Sequence, residues 1–341
     1  MKKLVVFFGV VLATIGPAVR AQEAESTAPM QESSWRDPKT SEMIDYMPEI
    51  SLDTRLGYNH IFSERTGGFA GDGLYLDING YITPNFSYSL NQRIASSYYE
   101  DNSGFNGTNW LTLTYEVGDF AFTAGKDALL VGSFEYDAYD LDSYYEMNSA
   151  FYNEFDCWQW GVSAAWYPAE NHEVLLQFAN SPFSYGVPDM YSLAAGWRGA
   201  WDWYESYWTI NFWQYDASSV SKAFCAGNRF TFGGLAIDLD LMYRIRDFGN
   251  DYNSFTGTIA PSYQFNEWGR VFTKAGWEST PDTWFFGCGF EYFPLKENKN
   301  IRLHAAYTHN AYICRDIINI GLTWKMNLTN GIRKILGTKK D

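Results

Sequence analysis

Past Ile15 the sequence has no apolar run approaching the roughly 18 residues that a membrane-crossing helix needs, so a helical membrane protein is excluded. Basic residues are scarce. The 25 Lys and Arg stand against 40 Asp and Glu, a formal net charge of −15, and without a basic footprint a nucleic-acid partner is excluded. Histidine is rarer still: His60, His172, His304 and His309 are the whole complement, and they form neither an HExxH nor a paired HxH spacing. Cys157, Cys225, Cys288 and Cys314 lie far apart without a CxxC or metal-like spacing. Disulfides after export stay open, with three connectivities, but a closed barrel needs no staples and most of the four read as ordinary wall or loop residues. Asp238-Leu239-Asp240 and Asp77-Ile78-Asn79-Gly80 contain calcium-type ligands, but neither continues as a complete loop motif. Strand alternation alone places both carboxylates of the first pair on one face. No phosphate-cradling glycine loop occurs, and no cofactor or metal is expected.

What the chain has in excess is aromatic. With 14 Trp, 25 Tyr and 25 Phe it is 19% aromatic, a load that a membrane β-barrel places in girdles at its two water interfaces. The N-terminus agrees with export. Lys2 and Lys3 precede the apolar stretch Leu4 to Ile15, and Pro17, Val19 and Ala21 follow, so residues 1–21 read as a secretory signal cut before Gln22. Residues 22–48 are polar, acidic and without periodicity, a flexible periplasmic segment by composition.

From Glu49 the pattern turns to period two, one apolar and one polar face per strand. Leu235, Ile237, Leu239, Leu241, Tyr243 and Ile245 share one face, with Asp238, Asp240, Arg244 and Arg246 on the other. The same phase runs through Leu111, Leu113, Tyr115 and Val117, through Trp158 to Trp166, and through Ile318 to Leu328. A lipid-facing wall around a wet lumen produces this alternation. On that phase an arginine at Leu239 or Leu241 should damage the wall, whereas one at Asp240 should be tolerated and alter selectivity.

Counting such segments predicts an all-β, antiparallel transmembrane barrel of about sixteen strands over residues 49–328, followed by a basic tail over 329–341 with Arg333, Lys334, Lys339 and Lys340. Tight connections, among them Val117-Gly118-Asp119-Phe120 and Phe232-Gly233-Gly234-Leu235, follow even-numbered strands. Longer ones, including Ser63 to Asp72, Ala95 to Thr108 and Asp127 to Asp156, mostly follow odd-numbered strands, the asymmetry of periplasmic turns and outside loops.

Asp127 to Asp156 is the third outside loop on this count, and its length marks it as functional or disordered. It carries Asp127, Glu135, Asp137, Asp140, Asp142, Glu146, Glu154 and Asp156 but no Lys or Arg. Its aromatics argue against disorder. Either it folds into the lumen as a constriction carried by Glu135, Asp137, Asp140, Asp142 and Glu146, or it forms an ordered extracellular flap. Folded inward, its acids should favour cations over phosphate.

Several stretches resemble porins of Bacteroides-type bacteria: Gly80-Tyr81-Ile82-Thr83-Pro84, Leu90-Asn91-Gln92-Arg93-Ile94, Ala124-Gly125-Lys126, Phe134-Glu135-Tyr136-Asp137, Gly227-Asn228-Arg229-Phe230 and Arg302-Leu303-His304-Ala305 among them. From about Leu74 to Leu328 the chain is similar to the phosphate-selective porin O and P family. That resemblance implies a sixteen-stranded barrel, a homotrimer, an inward-folded third loop and a basic lumen that guides phosphate. The residues give a mixed lumen instead. Arg55, Arg93, Lys126, Arg229, Arg244, Arg246, Arg270, Lys274 and Arg302 face Asp53, Asp77, Glu116, Asp238, Asp240, Glu278 and Glu291.

The expected function is an outer-membrane porin, not an enzyme, passing small hydrophilic solutes or ions by diffusion, with outer-membrane lipid around it. Two rivals remain on sequence alone. One is a structural or partner-binding platform with a blocked lumen; the other is a lipid-acting barrel enzyme, for which His304 would be the residue to test.

Overall fold

The computed structural model describes residues 46–95, 107–138, 142, 144, 147–184, 189–246, 252–280, 282–295, 299–311 and 314–336. Sixteen antiparallel strands close on themselves: β1 Glu49–Ile61, β2 Thr66–Thr83, β3 Phe86–Ala95, β4 Thr108–Val117, β5 Phe120–Ala128, β6 Trp158–Ala169, β7 His172–Asn180 and β8 Tyr191–Trp201 form the first half. The second half is β9 Tyr204–Gln214, β10 Val220–Phe232, β11 Leu235–Arg246, β12 Tyr252–Gln264, β13 Gly269–Ser279, β14 Asp282–Tyr292, β15 Ile301–Asn310 and β16 Arg315–Asn327. Every strand pairs with its sequence neighbours, and β1 closes the ring on β16 from Ser51↔Asn327 to Ile61↔Ile317. Closure leaves no strand edge unpaired, the condition for crossing a bilayer with strands. Among the described residues, one α-helix, α1 Thr329–Leu336, follows β16.

Period two sets the orientation of the wall. Leu111, Leu113, Tyr115 and Val117 on β4 are exposed, as are Leu241 and Tyr243 on β11, while Thr112, Asp240, Met242 and Arg244 between them are buried. Apolar side chains exposed in a continuous outer band are what a lipid environment selects. Aromatic rings gather where the short turns lie: Phe120 stacks on Trp166, Trp201 on Tyr204, and Trp203 on both Phe230 and Phe232. They form the girdle expected at one water interface.

The two-residue turns sit where expected, with Gly118 and Gly233 at positive φ (54° and 57°), which a residue without Cβ adopts at no steric cost. One connection differs. The link expected over Ser63 to Asp72 shortens to residues 62–65, because β2 begins at Thr66 and pairs with β1 through Ile61↔Thr66 and Tyr58↔Phe69. Pairing there is made by backbone, so the Gly-rich stretch that reads as loop extends the ladder past a bulge at Arg55/Leu56.

Inside the ring a small apolar cluster, Leu129, Val131, Phe151, Ala179, Trp213, Ala223, Cys225 and Met242, joins the β5–β6 connection to the inner face of β7–β11. A second, smaller cluster joins Tyr144 and Met147 to Ala306 and Phe272, so the wall has its apolar face outward and packed clusters within.

Candidate functional site

The described residues of the β5–β6 connection, 129–138, 142, 144 and 147–157, form a strap held by side chains on the inward phase of the wall. Its backbone runs across neighbouring strands and is held by their side chains. Gln177 of β7 donates to Ala128 O (2.8 Å) and accepts from Leu130 N (2.9 Å), and Asn211 of β9 donates to Leu130 O. Thr209 Oγ1 accepts from Gly132 N at 2.8 Å. Asp240 of β11 then takes three donors, Ser133 Oγ (2.9 Å), Phe134 N (2.9 Å) and Glu135 N (3.0 Å). An irregular segment enclosed in a barrel must have its polar groups paired, and the wall supplies the partners that secondary structure does not.

The approach is close. A Cβ on Gly132 would meet Thr209 N at 2.6 Å and Tyr207 O at 2.7 Å, so only glycine lets the strap lie on β9; Gly227 on β10 leaves room in the same way, its own Cβ position 3.0 Å from Ser133 Cα.

Ion pairs finish the attachment. Arg198 of β8 meets Asp137 at 2.8 Å and Glu205 at 2.7 Å. Arg302 of β15 meets Asp142 at 2.5 Å, and Lys325 of β16 reaches the same carboxylate at 3.2 Å. Burial alone would raise the Asp142 carboxyl, but Arg302 and Lys325 hold it well below the usual carboxylate range. Glu135 accepts from Lys274 Nζ (2.6 Å), Ser149 N (2.8 Å) and Ser149 Oγ (2.6 Å), fastening the two limbs of the strap to each other and to β13. Glu154 pairs with Arg244, whose guanidinium also lies 5.0 Å from the Phe151 ring centre. Phe151 N donates to Glu278 of β13 at 3.0 Å.

The aromatics of the strap pack. Phe134, Phe151 and Tyr144 are buried, with Arg229 4.2 Å above the Phe134 ring and Arg55 4.6 Å above that of Tyr144. Cation–π contacts of this kind gain from exclusion of water.

Of the residues expected at a constriction, Glu135, Asp137 and Asp142 are thus brought to the inner wall; Asp140 and Glu146 lie outside the described residues. Among the expected lumenal charges, Arg229 and Asp238 pair across β10 and β11 at 2.6 Å, Arg244 and Arg302 bind the strap, and Asp240 anchors its backbone. Arg93 donates to Asn109 at 3.1 Å, and Lys126 is fully buried. The Arg246 side chain lies outside the described residues. Sequence reasoning passed over Arg198, Glu205 and Lys325. Their inward phase was readable from alternation, but their partners lie as much as 183 residues away and were not.

Four of the strap's acids, Glu135, Asp137, Asp142 and Glu154, pair with wall bases, so a count of acids along the loop does not give the charge that faces the passage. His304 faces inward, 3% exposed, bonded to Asn319 and 5.4 Å from the Tyr144 ring, and not at the lipid boundary.

Residues 55–186 match the family model for phosphate-selective porin O and P. Together with the closed sixteen-strand ladder, that similarity supports an outer-membrane diffusion channel. Solved structures agree on its fold. The outer-membrane channel DcaP of Acinetobacter baumannii superposes with a TM-score of 0.63 at 11% identity, covering 84% of this chain and 99% of that one. The anion-selective porin from Comamonas acidovorans gives 0.57 at 11% identity over 82% and 98%. OmpT of Vibrio cholerae, described in a trimer form, gives 0.56 at 13% identity over 82% and 99%. No curated protein matches the sequence. At these identities the likeness to solved porins concerns the fold of the barrel.

Proposed function

We propose that this porin passes small hydrophilic solutes and ions by diffusion past a constriction built by the strap, and that the strap's acids serve chiefly to hold it there. The observation that carries this reading is the set of attachments at Gln177, Asp240 and Arg302, which ties the described residues of the strap to the inner wall. A sixteen-stranded barrel is wide enough for an aqueous channel unless something narrows it. With acids and bases paired on the wall, the passage carries opposed charges at close quarters, which tune ion preference while keeping binding weak enough for flux.

On this reading the protein is a channel and not an enzyme, it follows a signal over residues 1–21, and it assembles as a homotrimer, a reading supported by OmpT of Vibrio cholerae, which is described in a trimer form. Planar-bilayer recording and liposome swelling test it together. Small sugars should enter with a size cut-off, and reversal potentials in a salt gradient should be modest in the unaltered protein. Asp137→Asn with Asp142→Asn should strip Arg198 of one of its two carboxylates and remove the carboxylate that Arg302 and Lys325 share, moving the preference toward anions. The effect fades at high salt as screening shortens to about 3 Å near 1 M. A folded barrel that neither conducts nor swells liposomes would instead be a blocked, partner-binding platform.

A further inference from the structure

The last strand ends at Asn327, and the chain goes on to build α1. Its start is clipped to the beginning of β1: Thr329 Oγ1 accepts from Ile50 N at 2.6 Å and donates to Pro48 O at 3.1 Å, while Leu328 N donates to Ile50 O at 2.8 Å. That places the helix on the rim where even-numbered strands end, the rim of the short turns. One edge of it is apolar. At 3.6 residues per turn, positions 328, 332, 335 and 336 (Leu, Ile, Ile and Leu) fall within about 100° of one another, and positions 333 and 334 (Arg and Lys) fall on the other side. Ile335 is 85% exposed. Leu328, at the start of that edge, is exposed in the same phase as Ile320 and Trp324 of the lipid-facing row of β16.

Charge sets this segment apart from the rest of the molecule. Residues 329–341 hold four bases, Arg333, Lys334, Lys339 and Lys340, and one acid, Asp341, in a chain of net charge −15. A basic amphipathic helix that continues a membrane-facing surface fits one partner best, an anionic phospholipid surface.

We propose that α1 lies flat on the phospholipid headgroups of the leaflet at the short-turn rim, with its apolar edge at the acyl boundary and its basic side on anionic headgroups. The inference rests on the outer-membrane placement of the barrel. Two turns of helix would bind a membrane poorly alone, but the barrel holds them at the surface, so docking is effectively intramolecular. Each base near an anionic surface is worth roughly fivefold in occupancy, within a Debye length.

Hydrogen exchange of the full-length porin in lipid nanodiscs tests this without altering the barrel. In discs of phosphatidylcholine with phosphatidylglycerol, the amides of 329–336 should exchange at least several-fold more slowly than in phosphatidylcholine alone, and 1 M salt should abolish the difference. Arg333→Glu with Lys334→Glu should abolish it too, leaving conductance as it was. Equal exchange in both lipids overturns the proposal, whether the helix is open or protected, as does protection that grows with protein concentration, which means docking on a second copy. Loss of conductance or of the folded barrel would count against the porin reading and not against the helix.

Discussion

Asp240 and Leu241 are neighbours in sequence with opposite surroundings. Leu241 is 39% exposed in the outer band, whereas the Asp240 carboxylate is buried under three donors from the strap. Leu241→Arg should cost roughly 2–4 kcal/mol if it sits near the bilayer midplane, falling toward zero at the interface, and urea titration of the refolded barrel in lipid measures it. Asp240 is more than the tolerant lumenal position its alternation suggests. Arginine there would put a cation against three donors, so Asp240→Arg should leave a folded barrel with a detached strap and a larger single-channel conductance. Loss of folding in both variants at once would mean that the inward phase of β11 carries the wall and not the strap. The carboxylate's phase was legible in DLDLMYRIR; its role was not, because Ser133, Phe134 and Glu135 lie more than 100 residues upstream.

At the scale of elements the strap is the informative part. Its length and its lack of Lys and Arg mark it in the sequence, and the absence of bases has a structural counterpart: the bases are on the wall, and the strap brings the acids. Removing Lys274 from its pair with Glu135, whose carboxylate is buried, should cost about 3–5 kcal/mol, because that charge stays buried without its base. The strap's glycine is as decisive. Gly132→Val should lift the strap from β9, since the side chain has no space between Thr209 N and Tyr207 O. The wall, which pairs without it, should keep its folded mobility. The check is single-channel recording, with higher conductance and a larger sugar cut-off expected; unchanged values would place the constriction elsewhere along the lumen.

For the whole molecule, stability resides in a closed ladder with no free edge and an outer band that only lipid or detergent covers. The protein should therefore be extracted by detergent from the outer membrane, run faster or as a larger assembly before boiling than after, and give β-type circular dichroism. Crosslinking of the unboiled form should resolve a trimer, and a single monomer band under the same conditions would remove that assembly from the proposal.

The sequence by itself determined what repeats locally. Leu111 to Val117, Leu235 to Ile245 and Ile318 to Leu328 alternate because successive Cβ atoms point to opposite faces, so strand count, wall phase and the rim of short turns could be read without a neighbour in view. The two-residue turns at Gly118 and Gly233 were legible for the same reason, since a local backbone demand selects a local residue. Tertiary structure alone decided what is non-local: that Asp137 finds Arg198, that Asp142 finds both Arg302 and Lys325, and that Gly132 rests on β9. Charges counted along a chain add, whereas charges brought together in space cancel or bind, and only the closed barrel fixes which acids meet which bases.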